Sequence, residues 1–358
     1  MALGFGWLLL AAAATTAADR PLTGVSYEMT AVAEGVYAFV APEPRTGVVQ
    51  GNSLAVVGDD GVLVVDTGQF PDLARRMVAD IRKLTDKPIR FLVNTHWHGD
   101  HLLANDQVRE VFPGLVNIVH AETRRLAHKF YADYNEKAPK RLAGYVAEIQ
   151  EDLKKGQTKE AKPLSEDDRV YEGMELREIQ AAIERLPDIR YAPAEVTFTG
   201  EMSVYLGSRE VKLIHLGRGN TPGDIVVWVP DAKVVAAGDL VVNPTPYSFG
   251  SYHGDWIETL KKLKALGATT LVPGHGPVMA DAAYVDTLIE LLEATRSRVA
   301  TAAKDGLSLE NTRKKVDLGD FKQRLAGDDL WRRRAFDDFF VTPGIERAYK
   351  EAKGEPME

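Results

Sequence analysis

The chain of 358 residues contains no cysteine. That excludes disulfides, thiolate nucleophiles, thiolate metal ligands and an anchor through a lipidated cysteine. Any metal must be held by His, Asp or Glu, and only 8 histidines are available. A basic surplus is also missing: 44 Lys and Arg oppose 52 Asp and Glu, for a net charge of −8. Nucleic-acid enzymes ordinarily carry a basic face, so a small-molecule substrate is expected and a nucleic-acid partner is not. Apolar runs at the start, over residues 3–5 and 7–14, are too short to span a bilayer, and no stable membrane anchor is expected.

Residues 1–18 carry no charged side chain, and the small residues Thr16, Ala17 and Ala18 precede the first charges at Asp19 and Arg20. This reads as a signal peptide with export to the periplasm or beyond, although its first residues lack Lys and Arg. The remainder is 45% hydrophobic and 27% charged over the whole chain, which excludes disorder, collagen and coiled coil.

Short β-like runs come first, at 36–41, 53–57 and 62–65, the last two joined by the hairpin signal Gly58-Asp59-Asp60-Gly61. Leu73, Met77, Ile81 and Leu84 then stand at helical spacing. An apolar strand over 89–93 runs straight into Asn94-Thr95-His96. From about 131 to 191 the chain is charged, lacks β signals and shows helical faces, with a polar connection over 154–168. This is a helical insertion that either caps a site or is a surface excursion. β structure returns at 195–199, 202–206, 211–215, 225–229 and 234–237, followed by helices over 256–266 and 283–302. Residues 301–358 read as a helical extension whose Arg332-Arg333-Arg334 run is a solvated face. The order predicts an α/β or α+β sandwich with sheets inside and helices outside.

The sharpest signal is His96-Trp97-His98-Gly99-Asp100-His101, at the mouth of a strand. In an extended segment residues two apart point the same way, so His96 and His98 can grip one metal ion. Asp100 and His101 face the other way and can hold a second.

This segment resembles the His-x-His-x-Asp-His motif of the metallo-β-lactamase fold superfamily. Asp66-Thr67-Gly68 resembles the superfamily's early Asp motif, Gly238-Asp239 its bridging-carboxylate position, and Pro273-Gly274-His275-Gly276-Pro277 the motif of the last His ligand. The resemblance implies an α/β fold, a four-layer αββα sandwich over residues 25–300, interrupted by the insertion and followed by the extension. It implies zinc held by His96, His98, Asp100, His101, Asp239 and His275, with Asp66 supporting them from behind. One position departs from the pattern. The superfamily has Gly-His-Thr where this chain reads Gly219-Asn220-Thr221, so Asn220 replaces the third imidazole of the first metal site. An amide oxygen is a poorer zinc donor than imidazole, so one ion firmly bound and a second weaker are expected. His215, five residues upstream, is read as a hydrogen-bonded strand-end histidine, and Arg218 as an exposed loop residue.

The resemblance implies a zinc-dependent hydrolase using a metal-activated water, with Asp100 and Asp239 catalytic, on a small ester-, lactone-, thioester- or amide-like substrate. Two alternatives stand beside it, an exported β-lactamase-like enzyme and a metal-binding protein with altered catalysis. Asp239 weighs against the first, because β-lactamases of this superfamily carry Cys or Ser there. Trp97 is expected at the rim of the site. Tyr247 and Tyr252, in the aromatic stretch 243–256, are either a substrate-pocket wall or core packing beneath the following helix.

Overall fold

The computed structural model describes residues 26–159 and 161–357, so the expected signal peptide lies outside the described residues. Among the described residues, twelve strands form two sheets. The first holds β1 (Glu28–Ala33), β2 (Val36–Val40), β3 (Ser53–Val57), β4 (Val62–Val65), β5 (Ile89–Val93), β6 (Val116–His120) and β7 (Val196–Phe198), adjacent in that order. It begins as an antiparallel meander and is parallel from β4 onward. The second holds β8 (Glu201–Leu206), β9 (Arg209–Ile214), β10 (Val226–Val229), β11 (Val234–Val242) and β12 (Thr270–His275). Only its β11–β12 pair is parallel.

Side chains alternate across each strand, and the alternation builds the layers. On β4, Leu63 and Val65 point into the core between the sheets, where they meet Val211, Leu213 and Val227. Val62 and Val64 point the other way, onto Met77, Val78 and Ile81 of helix α1 (Pro71–Leu84). The far face of the second sheet is covered through Trp256 and Leu260 on α7 (His253–Ala265) and Leu288 and Leu291 on α8 (Ala283–Lys304). The result is a four-layer αββα sandwich.

Between β5 and β6 lie α2 (Gly99–Leu102) and α3 (Asn105–Val111). The insertion separates β6 from β7 as α4 (Ala121–Tyr131), α5 (Tyr134–Lys155) and α6 (Glu166–Arg185). Helix α6 opens on a capping box between Ser165 and Asp168. Leu186 and Ile189 pack on Leu102 and Leu103, which docks the insertion beside the metal-motif loop.

The C-terminal extension comprises α9 (Leu309–Lys315), α10 (Gly319–Ala326), α11 (Leu330–Ala335), a π turn at Phe336–Val341 and α12 (Thr342–Lys353). Phe336 and Phe340 enter the same core as Trp256, so the extension is part of the outer helical layer. The boundary expected at 300 falls within α8. The arginine run is not the solvated face expected. Arg332 pairs with Glu43 at 2.7 Å, and Arg334 lies 3.9 Å over the Tyr171 ring and pairs with Asp168 at 3.2 Å. No helix among the described residues is long and apolar enough to cross a membrane.

Candidate metal centre

The centre sits at one end of the sandwich, where β4, β5, β11 and β12 deliver side chains from both sheets. The loop after β5 presents His96 and His98, and α2 turns Asp100 and His101 toward the same space. β12 ends in His275, and β11 carries Asp239. Two glycines make this possible. Gly238 has φ +51°, and a Cβ there would stand 2.6 Å from Thr95, so only glycine lets β11 bend Asp239 inward. A Cβ on Gly274 would overlap Asp239 Oδ1.

Asp239 lies between two groups of imidazoles. Its Oδ2 is 3.4 Å from His96 Nε2 and 3.7 Å from His98 Nδ1. Its Oδ1 is 3.2 Å from His101 Nε2 and 3.5 Å from His275 Nε2. Asp100 Oδ2 joins the second group, 3.0 Å from His275 Nε2 and 3.4 Å from His101 Nε2. Two sets of ligand atoms lie within 4.8 Å of one another: His96, His101 and Asp239, and Asp100, His101 and His275. His101 therefore belongs to both, because its Nε2 lies at the middle of the cluster. His98, partly exposed and 3.7 Å from Asp239, joins neither set.

The atoms behind the ligands set their tautomers. Asp66 accepts from Thr95 N at 2.8 Å, from Thr95 Oγ1 at 2.7 Å and from His101 Nδ1 at 2.9 Å. Since the Thr95 hydroxyl donates to Asp66, its oxygen accepts from His96 Nδ1 at 3.0 Å. Both imidazoles thus carry a proton on Nδ1; neutral His96 turns its Nε2 lone pair inward, and His101 does so once a cation displaces its Nε2 proton. Thr95 was not marked by the sequence reading, although it directly precedes His96.

Burial shapes the charges. Desolvation pushes His96 down to about 4 despite Asp239 beside it, so this imidazole is neutral at pH 7. Burial alone would depress His101 too, but the carboxylates of Asp100, Asp239 and Asp66 outweigh it and hold its pKa well above the ordinary histidine value. Burial favours neutral Asp100 and Asp239, yet the surrounding imidazoles keep both well below the usual carboxylate range. Several buried acceptors here have no hydrogen-bond donor: His96 Nε2, Asp100 Oδ2, Asp239 Oδ1 and Oδ2, and Asn220 Oδ1. Such atoms are costly to leave unsatisfied, and a cation among them satisfies them together. An all-nitrogen-and-oxygen set with ionised carboxylates fits zinc.

Asn220 is on the β9–β10 loop. Its Nδ2 donates to the Tyr247 carbonyl at 2.6 Å, which fixes the amide and leaves Oδ1 unpartnered. The same loop is braced by Asp224, which accepts from Thr221 N at 2.8 Å and Thr221 Oγ1 at 2.7 Å. Burial pushes the Asp224 carboxyl up to about 7, against those bonds and with Asp239 adding to it.

The other marked residues divide. The Trp97 ring is 4.7 Å from the His98 ring and stacks on Phe130 at 4.5 Å, making one wall. Tyr247 lies 5.1 Å from the His275 ring. Tyr252 does not join them. It is buried against the guanidinium groups of Arg218, at 4.3 Å, and Arg347, at 5.2 Å, because the C-terminal extension closes over it. Trp256 is fully buried core. His215, just beyond β9, donates from Nδ1 to the Asp224 carbonyl at 2.8 Å and stacks on His120 at 4.3 Å. Arg218, half exposed, pairs with Asp255 at 2.6 Å.

A linear primary-alkylsulfatase from Pseudomonas is 26% identical over 252 residues, covering 67% of this chain but 44% of that protein. The chain therefore spans less than half of that relative. A metallo-β-lactamase structure from Pontibacter korlensis has a TM-score of 0.53 at 18% identity, covering 75% of this chain and 99% of that one. The FIM-1 metallo-β-lactamase from Pseudomonas aeruginosa, solved in a mono-zinc form, has a TM-score of 0.50 at 19% identity, covering 75% and 96%. The family model for the metallo-β-lactamase superfamily matches residues 46–275, and the chain belongs to that superfamily.

Proposed function

We propose that this protein is a zinc-dependent hydrolase of small ester-type substrates, sulfate esters included beside carboxylic esters, lactones and thioesters. The observation that carries the reading is the divided reach of Asp239, one oxygen toward His96 and His98 and the other toward His101 and His275. Zinc as the metal is supported by the oxygen and nitrogen donor set and by the mono-zinc form of FIM-1. When bound, zinc supplies Lewis acidity and, near neutral pH, a hydroxide nucleophile.

The protein's own groups do the rest. Asp100 Oδ2 and Asp239 Oδ1 border the same space beside His275 Nε2, and both are ionised at neutral pH. Either oxygen can orient the nucleophile and accept its proton. Trp97, stacked on Phe130, lies against His98, and Tyr247 lies against His275, so these rings border the centre. Asn220 stands in sequence where relatives of the superfamily carry the third imidazole, and its buried, unpartnered Oδ1 is the weaker donor, which supports one firmly held ion and one weak one. The charge of −8 opposes polyanionic partners. Export through residues 1–18 remains part of this reading, and N-terminal sequencing of the protein from the producing cell tests it.

The functional test combines metal analysis with a substrate panel. Zinc titration should give one tight and one weak site, and Asn220→His should tighten the weak one by at least about tenfold. Two equally tight sites in the parent would refute the unequal pair. The panel should include primary sulfate esters, carboxylic esters, lactones, thioesters and β-lactams. Hydrolysis of none would leave a metal-binding protein, and β-lactam turnover alone would favour the lactamase alternative.

A further inference from the structure

A cavity of about 760 Å³ lies where α6 of the insertion meets the start of α11 and the π turn of the extension. That volume suits a small organic ligand. Its walls include the stacked rings of Tyr171 and Trp331, 5.5 Å apart, with Met174, Val170 and Leu330 beside them. Val170 and Leu330 are large apolar residues left exposed at 42% and 60%. Helix α6 lies in the insertion and α11 in the extension, beyond the matched span of residues 46–275.

The cavity is linked to the metal centre in two ways. Rings step from Trp331 to Phe339 at 6.1 Å, from Phe339 to Tyr247 at 5.4 Å, and from Tyr247 to His275 at 5.1 Å. Phe249, 55% exposed, flanks this track 5.7 Å from Phe339. The β2–β3 loop runs alongside. Its Arg45 lines the cavity and pairs with Asp329 at 2.9 Å, while its Gly51 N donates to Asp100 O at 3.1 Å. The rim has a sign. Six aspartates face three arginines, and Arg45 and Arg334 are already engaged by Asp329 and Asp168. An anionic group there meets unbalanced like charge.

We propose that this cavity holds the non-reacting arm of the substrate cleaved at the metal centre, an apolar group with no negative charge at its far end, bedded on the aromatic track. The proposal rests on the hydrolase reading. It gives the insertion and the extension a shared role in selecting substrate by its arm, while the sandwich supplies the chemistry.

Binding and kinetics test it separately. In calorimetry on the zinc-loaded full chain, 1-octanol and octyltrimethylammonium should each bind one-to-one. Val170→Trp fills the cavity from a half-exposed position, and should weaken both probes by at least about tenfold without unfolding the chain. Trp331→Ala, which removes a wall, should do the same. In kinetics, kcat/KM for alkyl esters should rise from methyl to octyl arms, and Val170→Trp should abolish that rise. An ester whose octyl arm ends in a sulfonate should show a kcat/KM at least about tenfold below that of the plain octyl ester. Probe binding or arm-length dependence that survives both variants overturns the proposal, as does a sulfonate-tipped arm turned over as well as the plain octyl arm. Binding as expected with no ester hydrolysed overturns the hydrolase reading, and the arm assignment with it. Hydrolysis with no cavity binding overturns the arm alone.

Discussion

Thr95 Oγ1 joins the two sides of the metal centre, donating to Asp66 at 2.7 Å and standing 3.0 Å from His96 Nδ1. Removing that hydroxyl while keeping the shape frees His96 to adopt the other tautomer and leaves one Asp66 lone pair unmatched. Groups behind metal ligands commonly change affinity about 10–100-fold when lost. Thr95→Val should therefore weaken zinc binding by that order with the circular dichroism spectrum unchanged, as measured by competition with a chelating dye. Zinc affinity equal to the parent's would refute the relay. The ligands themselves were legible in the sequence, since His96 to His101 form one local motif and Asp239 and His275 sit in glycine-marked strand ends. The relay was not, because a threonine beside a histidine has no distinctive spacing. The orientation of the Asn220 amide was also hidden, for it depends on the Tyr247 carbonyl 27 residues away.

Elements divide in the same manner. The hairpin of β3 and β4, α1 and the strand leading to His96 follow from period and turn residues. Three strands escaped that reading. β1 is mostly exposed, so it lacks an apolar alternation. β6 is a short strand between helices and blends into their pattern. β12 contains Pro273 and Gly274, which argue against a strand, yet it lies at the edge of its sheet, where proline is tolerated. At the start of α7, His253 is wholly buried, hydrogen-bonded to Ser248 Oγ at 2.7 Å and stacked on Phe340 of the π turn. Burial, with Arg347 and Arg296 adding to it, lowers its pKa to about 3. The unfolded chain takes up a proton there near pH 6.5, while the native state does so only near 3. Below 6.5 the unfolded state binds more protons, so stability falls as pH drops through that window. One such group is worth about 2 kcal/mol between pH 7 and 5. Urea unfolding with zinc chelated should show His253→Gln losing less stability than the parent over that interval by about this amount. Parallel pH profiles for the two proteins would refute it.

At the scale of the whole molecule, the centre is where the two sheets are tied. β4 supplies Asp66 and β5 leads to His96 from one sheet, while β11 and β12 supply Asp239 and His275 from the other. A zinc ion there binds the native arrangement and not the dispersed ligands of the unfolded chain. At a thousandfold excess over its dissociation constant it stabilises by about 4 kcal/mol. For a chain of this size that corresponds to a shift in Tm on the order of 10 °C. The Asp239 carboxylate is the group both sheets' ligands share, so the coupling should run through it. Calorimetric scans should show Tm falling by that order when zinc is chelated and returning when zinc is restored. In Asp239→Asn, which keeps the side-chain shape but removes the charge, the zinc-dependent part of the shift should shrink to a small fraction. A parent Tm indifferent to chelation would mean that the sheets hold together without the metal. An unchanged zinc response in Asp239→Asn would mean instead that the tie runs through the imidazoles alone.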